Sequence, residues 1–176
     1  MDYSARFIDV ALQLASGEDF RYVTPQEGDL VEYRQLRLKE SGIDHNTAAK
    51  VHFVQGDACN LKPQPQKYHL VLAANLLDRL RQPAHFLQDI ATMIRPGGVL
   101  LLSSPWTWLE EYTQRSEWLG GVRENSEALS SHQALQRLLA AEFEEITAPQ
   151  DVPFVIRETA RKYQHSLAQV TLWRKR

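Results

Sequence analysis

The N-terminal part of the chain shows a helical spacing of apolar residues. From Ser4 to Ala15, apolar side chains recur every three or four positions, and Gly17 follows them. This pattern predicts a helix with Ser4 as its N-cap and Gly17 at its end. The segment 25–40 is polar, mixed in charge and has few apolar residues, and we interpret it as one exposed helix.

Further along, short apolar runs of the kind found in strands alternate with helical patterns. Strands are predicted at 51–55, 68–74, 99–102, 143–146 and 167–173. The run 68–74 is almost continuously apolar, which is typical of a strand buried on both faces of a parallel sheet. A helix is predicted from Pro83 to the turn Arg95–Gly98, with Phe86, Leu87, Ile90, Ala91 and Ile94 on one face.

The last helix is predicted from Ser131 to Ala141, with Leu135, Leu138 and Leu139 facing inward. Alternation of strands and helices favours an α/β fold, a doubly wound and mostly parallel Rossmann-like sheet. The final two strands have no helix between them, so we expect them to form an antiparallel edge pair. The length of 176 residues is consistent with one domain covering 1–176.

Composition excludes several classes of partner. The net charge of −2 argues against nucleic-acid binding, because such proteins carry clustered basic surfaces. No apolar run reaches the roughly 18 residues that a membrane span requires. Cys59 is the single cysteine, which fits a reducing, cytoplasmic location, and the six histidines lack metal-ligand spacing. We therefore expect a cytoplasmic protein without a metal site that binds a small molecule.

Polar residues follow the predicted strands where those strands end. Gly56, Asp57 and Ala58 follow the first strand, the segment 75–79 follows the second, and the segment 103–106 follows the third. Asp2 precedes the first helix. Because ligands of open α/β sheets bind beyond the carboxyl ends of the strands, these positions predict a binding crevice.

At these residues the chain resembles the class I S-adenosylmethionine-dependent methyltransferases. The resemblance implies that Asp2 and Tyr3 occupy the position that holds the ribose hydroxyls, where a carboxylate can accept two hydrogen bonds. It implies that Gly56–Asp57–Ala58 contact adenine and that Asn75–Leu76 lie beneath the methionine part. Each motif is common by itself, and their order along the chain carries the resemblance.

The glycine-rich loop of that family has no counterpart in this sequence. We interpret the chain as a methyltransferase domain lacking the first strand and this loop, whose backbone amides approach the cofactor most closely. The expectation is that the 176-residue chain binds S-adenosylmethionine weakly or not at all.

A narrower resemblance is to the C-terminal methyltransferase domain of ovothiol synthases. The matching segments are Asp2–Ile8, Asn75–Leu80, Pro96–Gly98, Ser104–Glu111, Trp118–Gly121, Pro153–Glu158 and Arg161–Gln164. This resemblance implies methylation of an imidazole nitrogen of a mercaptohistidine. It also implies a nonheme-iron sulfoxide synthase, fused or paired, as the partner.

Four residues are candidates for handling the methyl acceptor. Asp78 and Arg79 could orient a zwitterionic substrate, or they could form an ion pair at a helix start. Trp106 and Tyr112 could wall a cationic group, or they could serve only as packing. We expect the segment Ser104–Gly121 to form a lid.

Within this lid, Gly120 and Gly121 could act as a hinge, and Glu110 and Glu111 could receive the ammonium of the substrate. Two other functions stay open from the sequence. One is methylation of a different small molecule by the same fold. The other is a fragment that has lost cofactor binding together with the glycine-rich loop.

Overall fold

A computed structural model describes residues 1–63 and 67–176, which divide into two compact units. The first unit contains Met1–Asp57 and Val155–Gln164. The second unit contains Ala58–Phe154 and His165–Arg176. Among the helices of the described ranges, none is long and apolar enough to cross a membrane.

The first unit begins with helix α1 (Ala5–Ala15), as predicted. The Ser4 hydroxyl accepts a hydrogen bond from the Phe7 backbone N–H at 3.4 Å and so caps the helix. Gly17 follows with a φ of 90°, a left-handed conformation that glycine adopts at low cost. The cap and the terminating glycine named from the sequence are both confirmed.

An antiparallel hairpin follows α1, made of β1 (Phe20–Glu27) and β2 (Leu30–Leu36). The prediction of one exposed helix over 25–40 is therefore wrong. Gly28, with a φ of 54°, lies in the turn between the strands. Side chains of β1 alternate between half-buried and exposed, which is the period of a strand. Pro25 is tolerated because both strands of a two-stranded sheet are edges.

The predicted strand 51–55 is reduced to a single parallel bridge between Asp2 and Gln55. A one-turn helix, α2 (His45–Ala48), precedes it.

The second unit contains most of the sheet. Its elements are β3 (Tyr68–Ala74), α3 (Pro83–Met93), β4 (Ile94–Ser104), β5 (Val122–Glu124), β6 (Glu127–Leu129), α4 (Ser131–Leu139), β7 (Phe143–Glu145), β8 (Gln150–Arg157) and β9 (Tyr163–Lys175), the last two crossing the boundary between the units. The five-stranded sheet has the order β3-β4-β9-β7, with β8 also paired to β9. Strands β5 and β6 form a separate hairpin.

The sheet is mixed, so the fold is α/β as predicted, but the sheet is not mostly parallel. Strands β3 and β4 are parallel, and α3 supplies the crossover that such a pair requires. Strand β9 is antiparallel to both β4 and β7. The antiparallel pairing of the last two predicted strands is confirmed, although β9 lies inside the sheet and separates β7 from β4.

The hydrophobic core lies on one face of this sheet. The predicted inner face of α3 is buried through Phe86, Leu87, Ile90 and Ala91. The turn predicted at Arg95–Gly98 lies instead inside β4, which begins directly after α3. In α4, Leu135 and Leu139 are buried as predicted, whereas Leu138 is 47% exposed, so its predicted inward position is wrong.

Strand β3 is buried on one face only, which corrects the prediction of burial on both faces. Leu70 and Leu72 are 59% and 61% exposed, whereas Ala73, on the opposite face, is 3% exposed. Within the described chain, β3 is the edge of the sheet and no strand pairs with its outer side.

Candidate functional site

In the first unit, the structure brings Asp2 next to Gly56 and Asp57. The backbone N–H of Asp2 donates to Val54 at 3.2 Å, and the N–H of Gly56 donates to the Asp2 carbonyl at 2.9 Å. Two parallel segments thus end side by side. The two carboxylates that the sequence assigned to one crevice follow adjacent segment ends, as expected from the topology.

The Asp2 carboxylate has a defined orientation. One oxygen, Oδ1, accepts the Ser4 backbone N–H at 2.8 Å. Tyr3 is 76% exposed, and its carbonyl accepts a hydrogen bond from the Gln55 side chain at 3.1 Å. Asp57 is half-buried. An exposed, oriented carboxylate beside a glycine can accept hydrogen bonds from a polyhydroxyl ligand.

Ala58 begins the second unit and is half-buried against its hydrophobic core. Leu76 packs against the same core. Both side chains are apolar, so any polar contact at these two positions involves the backbone.

At the carboxyl end of β3, Asn75 joins the ends of the parallel strands. Its backbone N–H donates to the Ser103 carbonyl at 2.8 Å, and the Ser103 hydroxyl donates to Asn75 Oδ1 at 3.2 Å. Asn75 and Trp106 both have a left-handed backbone, with φ of 49° and 52°. Such conformations are uncommon outside glycine and concentrate at ligand-binding positions.

A compact ionic cluster links the residues after β3 to those after β4. Asp78 is 1% exposed, and its Oδ2 accepts hydrogen bonds from the Thr107 N–H at 2.9 Å and the Thr107 hydroxyl at 3.0 Å. Arg79 Nη1 lies 3.0 Å from the same oxygen. The ion pair considered from the sequence is therefore present, and Asp78 is not exposed to a substrate.

Arg79 is held by several partners and remains partly accessible. It donates to the Thr107 carbonyl and to the Thr107 hydroxyl, each at 2.8 Å. Its guanidinium carbon lies 5.0 Å from the centre of the Tyr112 ring, a cation–π contact. The side chain of Arg79 is 34% exposed and Tyr112 is 44% exposed. This pair presents a fixed cation and an aromatic ring at the surface.

Three tryptophans of the segment Ser104–Gly121 form a continuous stack. The ring centres of Trp106 and Trp108 are 6.2 Å apart, and those of Trp108 and Trp118 are 6.1 Å apart. Each indole N–H donates to a protein acceptor, respectively Gln169, Ser131 and the Thr113 carbonyl. The stack packs on the core, since Trp108 is 8% exposed and the other two contact the core cluster.

The predicted hinge and the acidic pair are found in different surroundings. Gly120 is buried, and a Cβ atom there would lie 2.5 Å from the backbone of Ser130 and Ser131. Gly121 has a φ of 74°. Glu110 and Glu111 are both exposed beside Tyr112 in the chain.

Sequence reasoning missed the role of Thr107, and it placed Ser103 in the crevice without identifying its contact with Asn75. Both are polar and follow the apolar body of β4, which was the available signal. Their partners, Asp78 and Asn75, lie 29 and 28 residues earlier in the chain. Among the residues that the structure describes, no group of three His, Cys, Asp or Glu side chains could hold a metal ion.

Comparison with known families and structures gives one family match. A family model described as a methyltransferase domain matches residues 29–165. No curated protein sequence matches the chain.

The similar solved structures described below are distant in sequence. The N-methyltransferase NodS from Bradyrhizobium japonicum WM9 is 12% identical, with a TM-score of 0.44, and the match covers 74% of this chain and 64% of that one. NodS has also been solved with S-adenosyl-L-homocysteine. A SAM-dependent methyltransferase from Methanosarcina mazei is 17% identical, with a TM-score of 0.48 and coverages of 72% and 68%.

A third structure comes from work on the conversion of a disulfide bond into a thioacetal group during echinomycin biosynthesis. It is 13% identical and has a TM-score of 0.50, and the match covers 78% of this chain and 58% of that one. This likeness shows a shared fold. The chain spans less than two thirds of the length of NodS and of this third protein.

Proposed function

Because the chain belongs to the family of S-adenosylmethionine-dependent methyltransferase domains, we propose that it serves in methyl transfer to a nitrogen of a small molecule, specifically the imidazole of a mercaptohistidine. The proposal of this acceptor is supported by the sequence segments that resemble ovothiol synthases. It is further supported by an oriented arginine and an aromatic ring after the parallel strands.

The residues of the first unit fit the nucleoside part of the cofactor. Asp2 is exposed and its carboxylate is oriented by the Ser4 N–H, so it can accept hydrogen bonds from two ribose hydroxyls. Asp57 follows the neighbouring segment end and would accept from the adenine amine. When bound, S-adenosylmethionine supplies a methyl group on a positively charged sulfur. The assignment of Tyr3, Ala58, Asn75 and Leu76 to the same cofactor stays a prediction.

The observation that carries the acceptor proposal is the position of Arg79. Its guanidinium is fixed by Thr107 and by the buried Asp78, yet a third of the side chain remains accessible beside Tyr112. A planar guanidinium can bind a carboxylate through two parallel hydrogen bonds, which would orient an amino acid substrate. Asp78 then acts through Arg79 as a positioning residue rather than by touching the substrate.

Methylation of a neutral imidazole requires little acid–base catalysis by the protein. One ring nitrogen already carries a lone pair, so the protein needs to fix the tautomer and to align the ring. The aromatic residues of Ser104–Gly121 can exclude water and stack on the ring, with Trp106 and Tyr112 as the proposed walls. The location remains proposed as cytoplasmic and the partner as a sulfoxide synthase.

Product analysis tests the proposal. The full-length gene product is incubated with S-adenosylmethionine and a mercaptohistidine, with histidine and a primary amine as parallel substrates. We expect one methyl group on an imidazole nitrogen of the mercaptohistidine, identified by mass spectrometry and NMR, and little product from the other two. Faster methylation of the amine would reject mercaptohistidine as the acceptor but retain the methyltransferase activity. No methyl transfer to any of the three substrates would overturn the proposal.

A further inference from the structure

A second concave site lies in the second unit, beside the tryptophan stack. It is a cavity of about 860 Å³ lined by Arg115 and Ser116 of a 3₁₀ turn, by Gly121, and by residues of the β5–β6 hairpin other than its two glutamates. Two arginines, Arg115 and Arg123, line it from opposite segments. Its lining includes none of the proposed acceptor residues Asp78, Arg79, Trp106 and Tyr112, although three of its residues belong to the segment Ser104–Gly121.

The charge of this cavity is uncompensated. Within the described part of the chain, no carboxylate lines it, and neither arginine forms an ion pair. Arg115 lies 5.1 Å from the centre of the Trp118 ring, and Arg123 donates to the Ser126 carbonyl at 3.2 Å. The neighbouring Glu124 is paired with Arg137 at 2.8 Å. Both guanidinium groups therefore keep donors for a ligand.

Two further features of the wall favour a negative ligand. Ser116 contributes a hydroxyl group. Ser130 lines the cavity as the N-cap of α4, so the positive end of a nine-residue helix lies at its wall. Gly120 permits this arrangement, because its lack of a side chain lets the chain approach the backbone of Ser130.

We infer that this cavity binds an oxyanion, a phosphate or a carboxylate, through Arg115 and Arg123. A guanidinium group can bind either anion through parallel hydrogen bonds, and two of them line this cavity without a carboxylate in its lining. This site is separate from the proposed acceptor site at Arg79, so either proposal can fail without the other.

The test is titration of the purified protein with inorganic phosphate and, separately, with acetate and N-acetylglycine. Binding is followed by the fluorescence of the tryptophans, since Arg115 covers Trp118, and by the NMR signals of the arginine side chains. We expect saturable binding that weakens about five-fold or more in R115Q and in R123Q. R161Q removes an exposed positive charge outside the cavity lining and is the matched control.

The titrations distinguish a phosphate ligand from a carboxylate ligand. Tighter binding of phosphate identifies a phosphate group as the natural ligand, and tighter binding of N-acetylglycine than of phosphate identifies the carboxylate of a larger molecule. Non-saturable binding, or an equal loss in R161Q, would overturn the inference. Circular dichroism of all three variants checks that the exposed substitutions leave the fold intact.

Discussion

The carboxylate of Asp78 accepts two hydrogen bonds from Thr107, at 2.9 Å from the backbone N–H and at 3.0 Å from the hydroxyl. These contacts tie the chain after β4 to the chain after β3. Because Asp78 is buried, its removal leaves the Thr107 N–H and part of Arg79 without a partner. The cluster is thus both a fold contact and the support for Arg79.

We expect Asp78→Ala to lower the free energy of unfolding by about 2–4 kcal/mol, measured by urea denaturation. Thr107→Val removes only the hydroxyl and keeps the backbone hydrogen bond, so a loss of about 1 kcal/mol is expected. Equal effects of the two substitutions would show that the hydroxyl, rather than the carboxylate, dominates the contact.

Two glycines allow a test of close backbone approach. A Cβ at Gly120 would lie 2.5 Å from the backbone of Ser130, which cannot move without shifting α4. Gly120→Ala is therefore expected to cost about 2 kcal/mol or more. Gly97→Ala is the control, since Gly97 has a φ of 76° and open space around it, and only about 1 kcal/mol of backbone strain is expected there. Thermal unfolding compares the two variants, and a smaller loss for Gly120→Ala would contradict the packing.

Local signals were sufficient for helices α1 and α3. Ser4 and Gly17 mark the ends of α1 in the sequence, and Pro83 marks the start of α3. The hairpin β1–β2 gave no comparable signal, because β2 is exposed along almost its whole length and shows no apolar alternation. A strand exposed on both faces, as β2 is, cannot be told from a polar helix by hydrophobic period.

The sheet was harder to predict, because burial depends on neighbours distant in sequence. The apolar run of β3 predicted burial on both faces, yet Leu70 and Leu72 are exposed at the edge of the sheet. Insertion of β9 between β4 and β7 made the sheet mixed. Neither the edge position of β3 nor the insertion of β9 can be predicted from the local spacing of apolar residues.

The adjacent placement of residues could be predicted where it is fixed by the ends of parallel segments. Asp2 and Gly56 lie side by side because two short parallel segments end there. The partnership of Asp78 with Thr107 could not be predicted, since it depends on a backbone N–H and on the path of the chain after β4. The sequence shows that polar residues follow a strand, and the structure shows which of them form hydrogen bonds with each other.

The cofactor assignment predicts the effects of two substitutions in the full-length gene product. Asp2→Ala and Asp57→Ala are each expected to weaken binding of S-adenosylhomocysteine by about 1–3 kcal/mol, because each removes a charged acceptor. Asp9→Ala, on the exposed side of α1, is the control and should leave affinity unchanged. Calorimetry measures affinity and circular dichroism checks folding. Unchanged affinity in both test variants would show that the cofactor binds elsewhere.

The segment Ser104–Gly121 is predicted to control the choice of acceptor. Trp106→Ala or Glu110→Ala is expected to reduce methylation of a mercaptohistidine while cofactor affinity changes far less. Glu110 is exposed, so its removal tests an ammonium contact without a packing defect. Glu127→Ala, in the β5–β6 hairpin, is the matched control. Lost cofactor binding with unchanged acceptor selectivity would assign the segment to packing alone.

Arg79→Lys tests the acceptor proposal most directly. Lysine keeps the charge but cannot reproduce the fork of donors that contacts Thr107 or lie flat on the Tyr112 ring. The KM for mercaptohistidine is expected to rise about ten-fold, while affinity for S-adenosylhomocysteine stays within about two-fold. Arg137→Lys, an exposed pair partner on α4, is the control for the same chemical change.

A substrate that carries an amide in place of the carboxylate distinguishes two roles of Arg79. If the substrate carboxylate binds the guanidinium, replacing that carboxylate by an amide lowers the affinity of the wild type for the substrate strongly. The same replacement then lowers the affinity of Arg79→Lys only slightly. If Arg79 only supports the fold, the amide loses the same amount in both proteins.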